Sequence, residues 1–189
     1  MPFICFEGID NSGKTTLSKM LMQHYNGIGP VECNYAWTKE PSFSSEEADR
    51  LNLHTADENE REALFLESKI RNQAFVMSQT NLIMDRYIVS GLVYSKVFSP
   101  SCYRLLRSIY MGPMFRKPDL HIFVDTDPKI CVSRGAEQSI EELQMLRAAY
   151  VEEFSRYQGQ VLRFPDEGPI NEVFNSLKYE IDNILGFRE

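Results

Sequence analysis

Short apolar runs alternate with longer amphipathic segments along this chain, which is the pattern of an α/β fold. Five of the short runs have the length and composition of buried β-strands. These runs are Phe3–Glu7, Val31–Trp37, Leu82–Asp85, Leu120–Asp125 and Gln160–Phe164. Because helical segments separate them, right-handed crossovers predict a five-stranded parallel sheet with helices on both faces.

Helical periodicity is clearest in three segments. Lys14–Tyr25 is followed by Gly27, a typical C-terminal cap, and the last helix is predicted to begin after Pro169. Ile140–Tyr157 combines an apolar stripe with an acidic outer face. No repeat or flexible linker divides the chain, so residues 1–189 are predicted to form a single domain.

The composition narrows the class of function. With 43% apolar and 25% charged residues, the chain has the make-up of a folded globular domain. A net charge of −7 argues against partners such as nucleic acid or an anionic membrane. Its apolar runs are too short to cross a bilayer and its start lacks a basic leader, which favours a cytoplasmic location. The four cysteines include no C-x-x-C pair, which argues against a zinc site and against a disulfide framework.

The strongest chemical signal lies between the first predicted strand and the first predicted helix. Residues 8–15 read G-I-D-N-S-G-K-T and match the phosphate-binding loop G-x-x-x-x-G-K-[ST]. In such a loop, backbone N–H groups and the helix N-terminus surround the phosphates of a nucleotide. Lys14 is predicted to reach the β- and γ-phosphates of ATP, Thr15 to hold Mg²⁺, and Thr16 to bind a neighbouring phosphate. The other predicted ATP-binding residues are Gly8, Asn11, Ser12 and Gly13.

A second residue of the nucleotide site is predicted at the end of the third strand. Asp85 follows three apolar residues and would stand at the carboxyl edge of the sheet, where α/β proteins bind ligands. A carboxylate there suits Mg²⁺, so Thr15 and Asp85 are the predicted metal ligands. The alternative for Asp85 is an ion pair with Arg86.

Four separated segments resemble the thymidylate kinase family of P-loop nucleoside monophosphate kinases. The first is F-E-G-I-D-N-S-G-K-T-T at residues 6–16. The second is T-K-E-P at residues 38–41, which is similar to the T-R-E-P segment of that family. The third is D-R-Y-I-V-S-G-L-V-Y at residues 85–94, which resembles D-R-Y-x-x-S-G-x-A-Y, and the fourth is the P-D-L strand at residues 118–125.

This resemblance implies a P-loop NTPase-type three-layer sandwich, a homodimer, and transfer of the γ-phosphoryl group of MgATP to thymidine monophosphate (dTMP). Arg86 would bind the acceptor phosphate, because a planar guanidinium can hold a phosphate bidentately. Asp10 would accept a hydrogen bond from the 3′-hydroxyl group, and Tyr94 would pack beside the deoxyribose. The alternative for Tyr94 is an aromatic residue at the edge of the core. The other acceptor-site residues that the resemblance implies are Lys39, Glu40, Pro41, Ser90 and Gly91.

Phe65 resembles the aromatic residue that stacks on the thymine base in this family. The family has an arginine four residues further on, where this chain has Lys69, with Arg71 close by. On a helix Phe65 and Lys69 share a face, whereas Arg71 lies about 200° away from Lys69. Lys69 is therefore predicted to line the base site, although a lysine cannot make the forked contact of an arginine.

The family also supplies arginines to the transferred phosphoryl group, in some members from the loop and in others from a lid. The loop position is Asn11 in this chain, and the predicted lid region, around residues 133–147, offers Arg134 and Arg147. The alternatives are a helix cap for Arg134 and surface ion pairs for Arg147. The predicted catalytic residues are thus Lys14, Arg86, Arg134 and Arg147.

Other functions compete with this one. Glu40 and Pro41 also resemble the general-base segment of deoxynucleoside kinases, and a broader deoxynucleoside monophosphate kinase is a further alternative. A phosphate acceptor needs cationic binding rather than a base, so Arg86 favours a monophosphate acceptor. A non-catalytic P-loop switch of the GTPase kind is less favoured, because the chain has no N-K-x-D segment.

Overall fold

The computed structural model describes residues 2–28, 34–47 and 57–187 of the chain. The strands in these ranges are β1 (Phe3–Glu7), β2 (Ala36–Lys39), β3 (Leu82–Asp85), β4 (Leu120–Val124) and β5 (Gln160–Phe164). The helices that lie wholly within these ranges are α1 (Lys14–Ile28), α2 (Glu58–Ser78), α3 (Ile88–Phe98), α4 (Pro100–Tyr110), α5 (Pro128–Ser133), α6 (Ile140–Ser155) and α7 (Ile170–Leu185).

The five strands form one parallel sheet in the order β2-β3-β1-β4-β5, which confirms the predicted sheet. β1 lies at the centre, between β3 and β4, and all of its residues are buried. Because the strands are parallel, their carboxyl ends meet at one edge of the sheet, where ligands bind in open α/β folds. The phosphate-binding loop follows β1 directly and so stands in the middle of this edge.

Apolar side chains cover both faces of the sheet. Phe3 and Cys5 of β1 belong to the core cluster that includes residues of α3 and α6, whereas Ile4 and Phe6 belong to the cluster with α1 and α7. This alternation explains why the central strands read as continuous apolar runs rather than as alternating ones. The predicted three-layer arrangement is confirmed.

The boundaries of α1, β4 and β2 differ from the predicted ones. α1 continues through Gly27, the predicted cap, to Ile28, and β4 ends at Val124, one residue before Asp125. β2 begins at Ala36 and runs to Lys39, later than predicted, because it pairs with β3 from Leu82 to Asp85; residues 31–33 of the predicted strand lie outside the described ranges. The acidic helix, α6, begins as predicted, since Ser139 caps it in a capping box with Glu142.

In the described part of the chain, no helix has both the length and the apolar character needed to span a membrane.

The cysteines are placed as small core residues for the most part. Cys5 and Cys131 are buried, Cys102 is partly exposed, and all three are free thiols, while Cys33 lies outside the described residues. Sequence spacing did not foresee that β1 and β4 bring the Cys5 thiol, the Glu7 carboxylate and a His121 ring nitrogen within 4.8 Å of one another.

The inner face of α7 gives a test of the packing. Leu177→Ala should lower the free energy of unfolding by about 2–5 kcal/mol, because Leu177 is fully buried and its loss leaves a cavity. Ile184→Ala on the same helix removes a side chain that is 36% exposed and should cost well under half as much. Urea unfolding of both variants measures the difference; equal losses would contradict the assigned inner face.

Candidate active site

The loop between β1 and α1 takes a conformation that its glycines make possible. Gly8 has a φ of 151°, and a Cβ atom there would lie 2.6 Å from the carbonyl oxygen of Val124. Gly13 has a φ of 88°, which side chains rarely adopt. A cavity of ≈ 520 Å³ lies against this loop and the first turn of α1, so backbone N–H groups are available to an anion there.

Lys14 is buried beneath the loop. Its Nζ atom donates hydrogen bonds to the carbonyl oxygen of Ile9 at 2.5 Å and to Ser12 Oγ at 3.1 Å. Burial lowers the pKa of Lys14 to about 7, the charge of Arg86 adds to this effect, and the carboxylate of Asp85 opposes it. The ligand-free protein therefore holds Lys14 near the midpoint of its titration at neutral pH.

Thr15 and Asp85 meet at the edge of the same cavity. Thr15 Oγ1 donates a short hydrogen bond to Asp85 Oδ2, and Lys39 Nζ lies 3.9 Å from that oxygen. Asp85 is fully buried, and its Oδ1 atom has no hydrogen-bond partner among the described residues. A hydroxyl group beside an unpartnered carboxylate oxygen is the kind of donor set that Mg²⁺ binds, so these residues fit the ion that the sequence predicts.

Arg86 follows β3 in a left-handed conformation, with a φ of 66°. Its Nη2 atom donates to Asp10 Oδ1 at 2.5 Å, and its Nη1 atom donates to Ser90 Oγ and to the hydroxyl of Tyr150. The guanidinium lies 5.2 Å from the ring centre of Tyr94. Arg86 therefore pairs with Asp10 across the cleft, and the alternative pair with Asp85 is not formed.

The Asp10 carboxylate accepts hydrogen bonds from several donors. In addition to Arg86, the hydroxyl of Tyr94 and Nε2 of Gln138 each donate to its Oδ2 atom at 2.6 Å. Burial acts to raise the pKa of Asp10, but Arg86 and these donors outweigh burial and hold that pKa below its usual value. Asp10 is thus an anion at neutral pH.

A second cavity of ≈ 220 Å³ adjoins the first, and Asp10 and Arg86 line both. Phe65 lines the second cavity and packs edge-on against Phe43, with ring centres 5.1 Å apart. The other lining residues are Glu40, Pro41, Glu62, Lys69, Ser90, Gly91 and Tyr94. The residues that the resemblance assigns to the acceptor therefore converge on one cavity, except Lys39, which lines the first.

Lys69, and not Arg71, lines this second cavity. Lys69 Nζ lies 3.3 Å from Glu40 Oε2, and Asn72 donates to Glu40 Oε1 at 2.6 Å. Arg71 points elsewhere and pairs with Glu47. Both oxygens of the fully buried Glu40 are therefore already engaged.

The predicted lid region contacts the loop through Arg134. Its Nη1 atom donates to Asp166 and, at 3.5 Å, to the carbonyl oxygen of Asn11, while Asn11 Nδ2 donates to the carbonyl oxygen of Arg134 at 3.0 Å. Arg134 lines the first cavity.

Arg147 lies elsewhere, which departs from the expectation that it acts on the phosphoryl group. Its Nε atom donates to Asp125 at 2.5 Å, in a cluster that Arg163 completes. Arg147 lines neither of the two adjoining cavities. The physical reason is Asp125, a carboxylate that follows β4 and pairs with both arginines.

Sequence reasoning missed several residues of the site. Asp166 follows β5 as Asp85 ends β3, so the same strand-end argument could have found it. Glu7 is a charged residue at the end of a fully buried strand, which is a signal in itself. Nothing in the sequence marks Gln138, Glu62 or Tyr150, because only the folded chain brings them to the cleft.

The thymidylate kinase family model matches residues 6–177. A curated thymidylate kinase of Ligilactobacillus salivarius is 32% identical in an alignment 152 residues long, and the match covers 70% of this chain and 68% of that protein. A thymidylate kinase of Wolbachia pipientis is 31% identical over 145 residues, with 72% and 74% of the two chains covered.

Solved structures agree on the fold. The thymidylate kinase of Ehrlichia chaffeensis superposes with a TM-score of 0.70 at 23% identity, over 95% of this chain and 98% of that one. The thymidylate kinase of Candida albicans gives a TM-score of 0.78 at 19% identity, over 98% and 92% of the two chains. At these identities the likeness establishes the architecture.

The titration of Lys14 gives a prediction at pH 8. Free Lys14 is then mostly neutral, and phosphate oxygens favour its charged form, so binding of MgATP should take up as much as about one proton. Calorimetry in two buffers with different ionisation enthalpies measures this uptake. Lys14→Arg, which stays charged, should lose it; equal heats in both buffers for the wild type would contradict the lowered pKa.

Proposed function

The chain belongs to the thymidylate kinase family, and we propose that it transfers the γ-phosphoryl group of ATP to dTMP, giving thymidine diphosphate. It is a phosphotransferase of the nucleoside monophosphate kinase class. The observation that carries the proposal is that Asp10 and Arg86 line both the loop cavity and the adjoining one. A donor and an acceptor bound in the two cavities would meet at these side chains.

On the donor side, the loop and Lys14 bind the phosphates of ATP. Lys14 already lies beneath the loop, so its charge is available where negative charge develops on the transferred group. Thr15 and Asp85 would hold Mg²⁺, which neutralises phosphate charge when it is bound. The Lys39 ammonium beside Asp85 adds a further cation to this cavity.

On the acceptor side, Arg86 binds the phosphate of dTMP. Its guanidinium is held by Asp10, Ser90 and Tyr150, so it reaches the cleft in a fixed orientation. Fixing the attacking phosphate in line with the donor is the main contribution that a protein can make to phosphoryl transfer. Asp10, an anion at neutral pH, accepts the hydrogen bond of the 3′-hydroxyl group.

The base is bound between Phe65 and Lys69. Phe65 offers a ring for stacking, and its edge-on contact with Phe43 fixes that ring in place. Lys69 is a single-point donor for a base carbonyl, since Glu40 holds its ammonium at the cavity wall.

The rival activity, phosphorylation of a deoxynucleoside, would require Glu40 as a general base. Both Glu40 oxygens accept from Lys69 and Asn72, so the carboxylate is committed to holding the cavity wall. The cation Arg86 lies instead where an acceptor phosphate would be bound. These contacts favour a monophosphate acceptor.

We assign the lid arginine to Arg134. It lines the loop cavity and touches Asn11, whereas Arg147 is paired with Asp125 outside that cavity. Release of Arg134 from Asp166 would give the transferred phosphoryl group a guanidinium.

We further propose that the chain forms a homodimer through α2. On one side, this helix exposes the apolar side chains of Ile70 and Met77, which lie about two turns apart, and Met77 is 63% exposed. In contrast, six of the 11 residues of α3 are buried, and none of its large apolar side chains is exposed. The cytoplasmic location expected from the sequence remains a prediction.

A coupled ADP-release assay with MgATP tests the proposed activity. Its acceptors are thymidine, dTMP, and the monophosphates of deoxyuridine, deoxycytidine and deoxyguanosine. We expect dTMP to exceed thymidine in kcat/KM by about 10²-fold or more, because thymidine has no phosphate group for Arg86 to bind and align. Preferential phosphorylation of thymidine would instead support Glu40 as a base.

Replacement of Arg86 by lysine tests the acceptor clamp. Arg86→Lys keeps the charge but loses the fork, so dTMP should bind more weakly and turnover should fall on the order of 10²-fold. MgATP affinity, measured by calorimetry, should change little. Arg107→Lys is the control, because Arg107 pairs with Glu153 outside both cavities. Weaker binding of MgATP rather than dTMP in Arg86→Lys would place Arg86 in the donor site.

A further inference from the structure

Glu7 is a fully buried carboxylate at the end of β1, and no step of the proposed reaction uses it. It does not line either cavity, so it is not in a position to touch a substrate. Its oxygens nevertheless face the segment that carries Arg86. Glu7 Oε1 accepts from the backbone N–H of Tyr87 at 3.0 Å, and Glu7 Oε2 accepts a short hydrogen bond from Ser90.

The bond to Tyr87 fixes the backbone on which Arg86 is mounted. Arg86 has a positive φ, a conformation that a residue with a side chain adopts only when its surroundings hold it. Its own N–H donates to the carbonyl oxygen of Phe6 at 2.8 Å, and the next N–H donates to Glu7. Two successive residues of β1 therefore hold two successive N–H groups after β3.

The hydrogen bond from Ser90 to Glu7 determines which groups donate and which accept in the hydrogen bonds around the guanidinium. The single hydroxyl proton of Ser90 is directed to Glu7, which leaves the lone pairs of Ser90 for other donors. One accepts from the hydroxyl of Tyr150 at 2.7 Å, and the other accepts from Arg86 Nη1 at 3.3 Å. Tyr150 in turn accepts from Arg86 Nη1 at 3.2 Å.

We propose that Glu7 is a positioning residue for the acceptor clamp, which orients the Arg86 guanidinium through the Tyr87 N–H group and the Ser90 hydroxyl group. The inference rests on the proposed function, in which Arg86 binds the phosphate of dTMP. Glu7 acts mainly on the acceptor side, because its hydrogen bonds lead to Tyr87 and Ser90, whereas on Lys14 of the phosphate-binding loop it acts only through its charge, the weakest of the charges there.

Glu7→Gln is the sharpest test, since it keeps the shape of the side chain and removes an acceptor. If the amide NH₂ group faces Tyr87, two donors oppose each other. If it faces Ser90, the Ser90 proton must turn towards Tyr150, and the Tyr150 hydroxyl proton, beside the guanidinium, then loses its acceptor. Neither orientation of the amide preserves the full set of hydrogen bonds around Arg86.

The matched control is Glu153→Gln. Glu153 is another buried glutamate, which accepts from Tyr103 and Arg107 and lines neither cavity of the site. Both variants lose a buried acceptor, so a general loss of stability should appear in both. Only Glu7→Gln should weaken the binding of dTMP.

The experiment measures calorimetric Kd values for dTMP and for MgATP, KM values for both, and thermal unfolding. We expect Glu7→Gln to raise the Kd and the KM for dTMP about tenfold or more, with the values for MgATP within about twofold of the wild type. Glu153→Gln should leave both sets unchanged. Equal losses for dTMP and MgATP, or dTMP values that match those of Glu153→Gln, would overturn the inference.

Tyr150→Phe keeps the inference testable if Glu7→Gln does not fold. It deletes the hydroxyl that accepts from Arg86 and bonds Ser90, and the phenyl ring still fills the core. A selective rise in the Kd for dTMP supports the clamp, and an unchanged Kd overturns it. A wild-type protein that neither binds nor phosphorylates dTMP would overturn the proposed function, and this inference with it. If the wild type does phosphorylate dTMP, the variants test Glu7 alone.

Discussion

The site depends on a balance of buried charge where β1 and β3 end side by side. Two basic side chains, Lys14 and Arg86, lie close to three carboxylates, those of Glu7, Asp10 and Asp85. Charges that leave water need partners, and each of these groups has at least one in the described structure. Substrate binding therefore replaces partners that the protein already supplies, and the cleft is organised before any ligand enters.

The sequence predicts this arrangement best where a single element determines it. The central strands were predicted closely because a strand buried on both faces reads as an apolar run. The phosphate-binding loop was predicted because its glycines adopt positive φ angles that other residues rarely adopt, and this is a property of the local sequence. β2 was placed too early, since its start depends on pairing with β3, which is a property of the sheet rather than of the segment.

Contacts between distant segments were beyond prediction for the same reason. Glu7 and Ser90 are 83 residues apart in the chain, and Asp10 and Gln138 are 128 apart. Arg147 shows the converse case. The resemblance implies a place for Arg147 in the site, but Arg147 pairs with Asp125, which follows β4, outside the two cavities. Motifs name the residues of a site, whereas side-chain geometry decides which of them reach it.

The sharing of Asp10 and Arg86 by the two cavities has a thermodynamic consequence. A ligand that changes the partners of either side chain from one cavity alters the free energy of binding in the other. Thermodynamic linkage makes such an effect reciprocal. If the first ligand changes the affinity for the second by some factor, the second changes the affinity for the first by the same factor. The two cavities are therefore not independent binding sites, and their binding free energies are coupled through one pair of charged side chains.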